Sequence, residues 1–149
     1  MAVRHVLVPG TPKQIWDVLS DPEAYASWVP GTHDTKAAQG DWPDQGAALR
    51  YLVRIGPWDL RGRTVVRISE PPSRLELEAF AGPLGSARIA IRIIEWGEEH
   101  SVVVVDEHPL RGVGAKLHTA PADALLHLRH RQMLARLAAT VDERTEAQP

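Results

Sequence analysis

From Ala47 to His108 the apolar residues recur at every second position, segment after segment, and from Ala120 to Arg144 the period lengthens to that of a helix. Side chains alternate across a strand and repeat about every 3.6 residues around a helix. A run of short strands joined by tight turns and closed by one long helix therefore predicts an antiparallel sheet with a helix on one face, an α+β fold. Leu49, Tyr51, Val53 and Ile55 alternate with Arg50 and Arg54, and Gly56 with Pro57 forms the turn. The next strand, Asp59 to Ser69, sets Leu60, Thr64, Val66 and Ile68 against Arg61, Arg63 and Arg67. Beyond Pro71 and Pro72, Leu75 and Leu77 oppose Arg74, Glu76 and Glu78. Paired through that turn, the arginines of one strand meet the glutamates of the other on the solvent face, each pair contributing about 0.2–1 kcal/mol.

After Gly82, Pro83 and Gly85, Ala87, Ile89, Ile91 and Ile93 alternate with Arg88 and Arg92. Trp96 and Gly97 lead into a last strand from Ser101 to His108. Its Val102–Val105 run is apolar on both faces and is expected to be covered on both. In the helix that follows, Leu126, Met133, Leu137 and Val141 share one face with Leu134 nearby, and Arg131, Gln132 and Ala135 take the other. His130 falls on the apolar face, with Arg129 at its flank.

The first 46 residues carry different signals. Val3–Val8 reads as a strand stopped by Pro9 and Gly10. Thr11 offers a helix N-cap ahead of Pro12, and Ile15, Trp16, Val18 and Leu19 supply an apolar face. Asp21 and Pro22 restart the same signal for a second short helix running towards Trp28, broken by Pro30 and Gly31. A short strand is expected near His33–Ala38, then a loop with Trp42 and Pro43. At 149 residues the chain suits one domain, residues 1–144, with a disordered polar tail over 145–149.

Charge and composition narrow the function. Lys and Arg total 17 against 19 Asp and Glu, so no basic surface points to nucleic acid. With no cysteine, disulfides and thiolate metal sites are excluded, and a cytoplasmic location is expected. No apolar run is long enough for membrane insertion or export. The seven histidines are scattered, His127 and His130 being the pair a helix brings near each other, so no metal site is expected, and no phosphate-binding or dinucleotide motif implies a cofactor.

The run Thr11, Pro12, Ile15, Trp16, Val18, Leu19, Ser20, Asp21, Pro22, Tyr25, Trp28, Pro30 and Gly31, with the order of elements, resembles the polyketide cyclase/dehydrase and lipid-transport family of the START-like (SRPBCC) superfamily. The resemblance spans Val3 to about Arg144. It implies a helix-grip fold: a curved seven-stranded antiparallel sheet around a long C-terminal helix, two short helices after the first strand, and a cavity between sheet and helix. A second stretch, Glu107 to Ala115 followed by Arg129, His130 and Leu134 to Leu137, resembles a bacterial subgroup whose members mostly lack an assigned activity.

In such a fold the inward residues become candidate ligand contacts: Tyr51, Val53, Ile55, Leu75, Leu77, Ile89, Ile91, Leu126, Met133 and Leu137, with Trp28 as a wall or lid residue. Trp42 and Trp58 are further wall candidates. Arg129 can hold a ligand carboxylate through its bidentate fork or reach solvent. His130, an imidazole among leucines, needs a hydrogen-bond partner, which Glu107 or His108 can supply; alternation lets one of these two face inward. His130 with Glu107 can act as acid and base on a carbonyl compound, or His130 can be a satisfied structural residue at the rim.

Three readings follow. The chain binds a small hydrophobic or amphipathic ligand such as a lipid, polyketide or aromatic metabolite. Alternatively it is a cyclase/dehydratase-like enzyme without metal, or a module that meets another protein through its sheet or lid. A monomer or homodimer is expected.

Overall fold

The computed structural model describes residues 2–29, 32–55, 57–80, 86–111 and 120–147, with residues 2–3, 55, 58, 108–111, 120–130 and 145–147 described as backbone alone. Strand β1 (Ala2–Pro9) is followed by helix α1 (Pro12–Leu19), a 3-10 turn (Pro22–Ala24) and helix α2 (Tyr25–Trp28). Strands β2 (Thr32–Gln39), β3 (Ala48–Ile55), β4 (Trp58–Glu70), β5 (Arg74–Phe80), β6 (Ser86–Glu95) and β7 (His100–Arg111) come next, and helix α3 (Ala120–Ala147) closes the order. They form one curved antiparallel sheet in the order β1-β7-β6-β5-β4-β3-β2. Each strand from β2 to β7 pairs with its chain neighbour, and β1 returns across the far edge to β7, so both short helices lie between the two edge strands in sequence.

Local chemistry explains the N-terminal turn. The Thr11 hydroxyl accepts from the Gln14 N–H at 3.2 Å while the Thr11 N–H donates to Gln14 Oε1 at 2.8 Å, a reciprocal capping box with Pro12 opening the helix. Asp21 caps the 3-10 turn by accepting from the Glu23 N–H at 3.0 Å. The same carboxylate receives Arg144 from α3, which ties the end of the long helix to the junction of the two short ones.

One buried cluster joins the layers. Ile15, Val18, Leu19, Tyr25 and Trp28 from the short helices, inward residues of the sheet such as Leu49, Tyr51, Val66, Leu77, Ile91 and Val105, and Met133, Leu134, Leu137 and Val141 from α3 belong to it. Arg131, Gln132 and Ala135 are exposed, as the helical period predicts, and the helix continues past Arg144 to Ala147. On the outer face of the sheet Arg67 meets Glu78 at 2.9 Å, and Glu76 takes Arg74 at 2.8 Å and Arg88 at 3.4 Å. Of the β4 arginines Arg67 thus meets a β5 glutamate as the period-two pattern predicts, while Arg63 lies opposite Arg50 and over the Phe80 ring.

The expectation for Val102–Val105 requires correction. Val103 and Val105 are buried against the core, but Val102 and Val104 face outward and are only half-buried. Cross-strand neighbours Leu7 and Ile94 flank Val102 and are exposed. Among the described residues no second layer lies over this face, so both-sided apolar character here is not both-sided burial.

Candidate functional site

The inner face of the sheet is graded by side-chain size. Following the register across β4, β5, β6 and β7, one row reads Val66, Leu77, Ile89, Glu107, and the adjacent row towards the β3 end reads Leu49, Thr64, Ala79, Ala87. A further step brings Tyr51 opposite Gly62. Large residues fill the first row and are buried, whereas Ala79, Ala87 and, beyond them, Val53 are half-buried although they point inward. Gly62, Thr64, Ala79 and Ala87 thus make a patch of small residues on three adjacent strands, at the end of the sheet where β3, β5 and β7 finish.

Beside that patch stands an aromatic and hydroxyl cluster. Thr64 Oγ1 is hydrogen-bonded to the Tyr25 hydroxyl at 2.8 Å and to the Tyr51 hydroxyl at 2.6 Å. Three hydroxyls joined by two hydrogen bonds use two of their three protons, so the third is directed outside the trio. The tyrosine rings stack with centroids 5.2 Å apart, and Trp28 and Trp42 meet Tyr25 edge-on at 5.2 and 6.1 Å. Tyr51 reaches Thr64 because position 62 has no side chain: a Cβ on Gly62 would lie 2.3 Å from Tyr51 Cε2. The trio pins α2 to β3 and β4 through buried polar bonds, which are costly to leave unmade.

Glu107 is the buried carboxylate of this interior, 4% exposed and in phase with Val103 and Val105. Alternation with Val103 and Val105 therefore places Glu107 on the inner face. It lies three strands across and two residues along from Thr64, about 16 Å measured over the sheet at ordinary strand spacings. The interior thus has two polar poles, the hydroxyl trio and the carboxylate, with small and aliphatic residues between them.

Of the residues predicted to contact a ligand, Trp28, Tyr51, Leu75, Leu77, Ile89, Ile91, Met133 and Leu137 meet in the buried cluster, and Val53 packs against its margin. Ile55 lies on β3, and Leu126, Arg129 and His130 lie on α3; their side chains fall outside the described residues, as do those of His108 and Trp58. Trp42 is half-buried beside the cluster and donates its indole N–H to the Leu19 carbonyl at 2.9 Å. Tyr25, Thr64 and the small residues at 62, 79 and 87 are not among the sequence candidates. Thr64 is the polar member of an inward series, and Gly62 continues that series opposite Tyr51, which is the signal that could have found them.

Comparison with known proteins places this arrangement among relatives. The aromatase/cyclase Zhui from Streptomyces sp. R1128 superposes with a TM-score of 0.71 at 17% identity, over 97% of this chain and 94% of that one. Ara h 8.0201 gives a TM-score of 0.74 at 7% identity, over 95% and 97% of the two chains. The di-domain ARO/CYC BexL from the BE-7585A biosynthetic pathway gives 0.74 at 14% identity, over 95% of this chain and 46% of that one. At such identities the likeness establishes the helix-grip fold. No curated protein matches the chain by sequence. The family profile described as polyketide cyclase/dehydrase and lipid transport covers residues 2–142 of the 149, and the chain therefore belongs to the polyketide cyclase/dehydrase and lipid-transport family.

Proposed function

We propose that this protein holds a small hydrophobic or amphipathic ligand, of the lipid, polyketide or aromatic-metabolite kind, between the small-residue end of the sheet and the C-terminal helix. The observation that carries the reading is the size gradient on the inner face. Leu77 and Ile89 in one row give way to Ala79 and Ala87 in the next, so on β5 and β6 the wall loses side-chain volume at the end where these two inward alanines are half-buried, and a ligand body takes that room. Half-burial of inward-pointing Val53, Ala79 and Ala87 supports the same placement. The aliphatic and aromatic surround favours an apolar body, and the hydroxyl trio favours a polar end. Met133, a flexible thioether in the helix face, adapts to ligands of different outline. Native mass spectrometry of the purified protein with a thermal-shift screen of lipids and polyphenols tests this. The expected outcome is a bound species that raises the unfolding temperature; a protein that binds no member of either class contradicts it.

A second reading, cyclase or dehydratase chemistry in the same place, is favoured by the inward burial of Glu107. In it Glu107 and His130 exchange a proton with a carbonyl substrate while the walls hold the chain folded. Glu107→Gln and His130→Gln, each checked for folding, are expected to abolish turnover of a cyclisable poly-β-carbonyl substrate while leaving its binding within about threefold. Unchanged turnover in either variant removes that residue from the chemistry.

A further inference from the structure

Two tryptophans stand edge-on against Tyr25, and their N–H groups differ. The Trp42 N–H is satisfied by the Leu19 carbonyl at 2.9 Å. Trp28 is 1% exposed, and its Nε1 is closed to solvent and has no hydrogen-bond partner among the described residues. Buried donors left in this state are rare in folded proteins, because the hydrogen bond to water is lost in folding and nothing replaces it. A phenylalanine would give an aromatic wall without that loss. The indole N–H only donates, so an acceptor atom is what would satisfy it. Its ring touches Tyr25, Tyr25 stacks on Tyr51, and Tyr51 covers Gly62, so the orphaned donor belongs to the ring cluster that borders the small-residue patch.

We propose that the Trp28 indole N–H is the donor that recognises an oxygen acceptor on the ligand. The site then takes flat apolar molecules bearing a carbonyl or phenol oxygen in preference to hydrocarbons of the same shape. This inference rests on the ligand-binding reading above and narrows it to a class. Because the N–H is closed to solvent, the acceptor reaches it by a local turn of the indole or of the side chains that cover it. Binding and a change at Trp28 therefore occur together. The neighbouring hydroxyl trio stays in place as the fixed side of the pole, held by its own bonds through Thr64.

The test uses 2-acetylnaphthalene and 2-isopropenylnaphthalene, which share outline and differ in carrying an oxygen or a methylene at the same place. Both are titrated calorimetrically into the wild-type chain, Trp28→Phe and Trp42→Phe, and indole 15N–1H spectra are recorded, the Trp28 resonance being the one missing from Trp28→Phe. The wild type is expected to bind the ketone about fivefold to tenfold more tightly, the worth of one hydrogen bond. The ketone alone should move the Trp28 indole proton downfield, Trp28→Phe should bind the two equally, and Trp42→Phe should keep the preference. Equal wild-type affinities, a preference that survives in Trp28→Phe, or an unmoved Trp28 resonance in the ketone complex overturns the proposal and leaves ligand binding standing. Failure of all three proteins to bind either compound overturns this inference, and the ligand-binding reading falls with it only if the lipid and polyphenol screen is empty as well. If Trp28→Phe does not fold, the wild-type affinity ratio and the indole shift decide, the Trp28 resonance then being assigned in the wild type through its contact with the Tyr25 ring.

Discussion

Thr64 Oγ1 serves two tyrosines at once, and its removal therefore costs more than that of either partner. Thr64→Val keeps the shape but deprives both phenols of this bond, with an expected loss of about 1–3 kcal/mol in urea unfolding, against about 0.5–1.5 for Tyr25→Phe. A Thr64→Val variant as stable as the wild type would show that the trio is not held together as described. Gly62→Ala should be of comparable severity for a different reason, since its Cβ meets a tyrosine ring that cannot shorten; about 1–3 kcal/mol is expected, with displacement of Tyr51 visible in a crystal structure. Away from the site, the Asp59 carboxyl is held below the usual aspartate range, chiefly by the hydrogen bond from His33 Nε2 at 3.0 Å, with the charges of His33 and Arg54 assisting against desolvation. A lowered folded-state pKa contributes stability that is present above the unfolded-state pKa and lost as pH falls through the folded one. In a carboxyl 13C titration His33→Ala should raise the Asp59 pKa towards its ordinary value; an unchanged midpoint would exclude His33 as the cause. None of these pairings was legible residue by residue. Periodicity assigns Thr64, Tyr51 and Gly62 to one face, but that Tyr25 reaches the same hydroxyl depends on where α2 lands, a tertiary fact.

Elements were more legible than contacts. Thr11, Pro12 and the spacing to Gln14 specify the start of α1 locally, and the alternation in β3, β5 and β6 assigns faces that burial then follows. Strand β7 shows where pattern stops informing. Four consecutive valines carry no alternation, so the sequence says that either face tolerates burial and cannot say which is covered. Isosteric substitutions separate the faces. Val103→Thr places a hydroxyl in the core and should cost about 1–3 kcal/mol, whereas Val102→Thr on the uncovered face should stay within about 0.5 kcal/mol. Equal costs in chemical denaturation would mean that the outer face of β7 is covered after all. Helix α3 was legible in its C-terminal half, where Met133, Leu134, Leu137 and Val141 are buried as the 3.6 period requires. For its N-terminal half the sequence expectations for Leu126, Arg129 and His130 concern side chains outside the described residues.

For the whole molecule, fold and family follow from the order of elements and the profile match over residues 2–142, whereas the proposed ligand site rests on the few places where the inner wall is small. Gly62, Thr64, Ala79 and Ala87 look unremarkable in sequence because alanine and glycine suit many positions. Only the register, which sets them side by side next to a row of leucine and isoleucine, gives them a shared meaning. Among the described residues no helix is long and apolar enough to cross a membrane, and the apolar surface this chain gathers is directed inward, apart from the strip around Leu7, Ile94 and Trp96. The most direct test is calorimetric titration of 2-acetylnaphthalene into the wild-type protein and into the double variant Ala79→Leu/Ala87→Leu, with the folding stability of both measured. Space at this end of the sheet predicts that the filled variant folds with at least wild-type stability and no longer binds. Retained binding, or the loss of stability of about 1–3 kcal/mol that overpacking a close-packed core brings, would contradict a ligand site there.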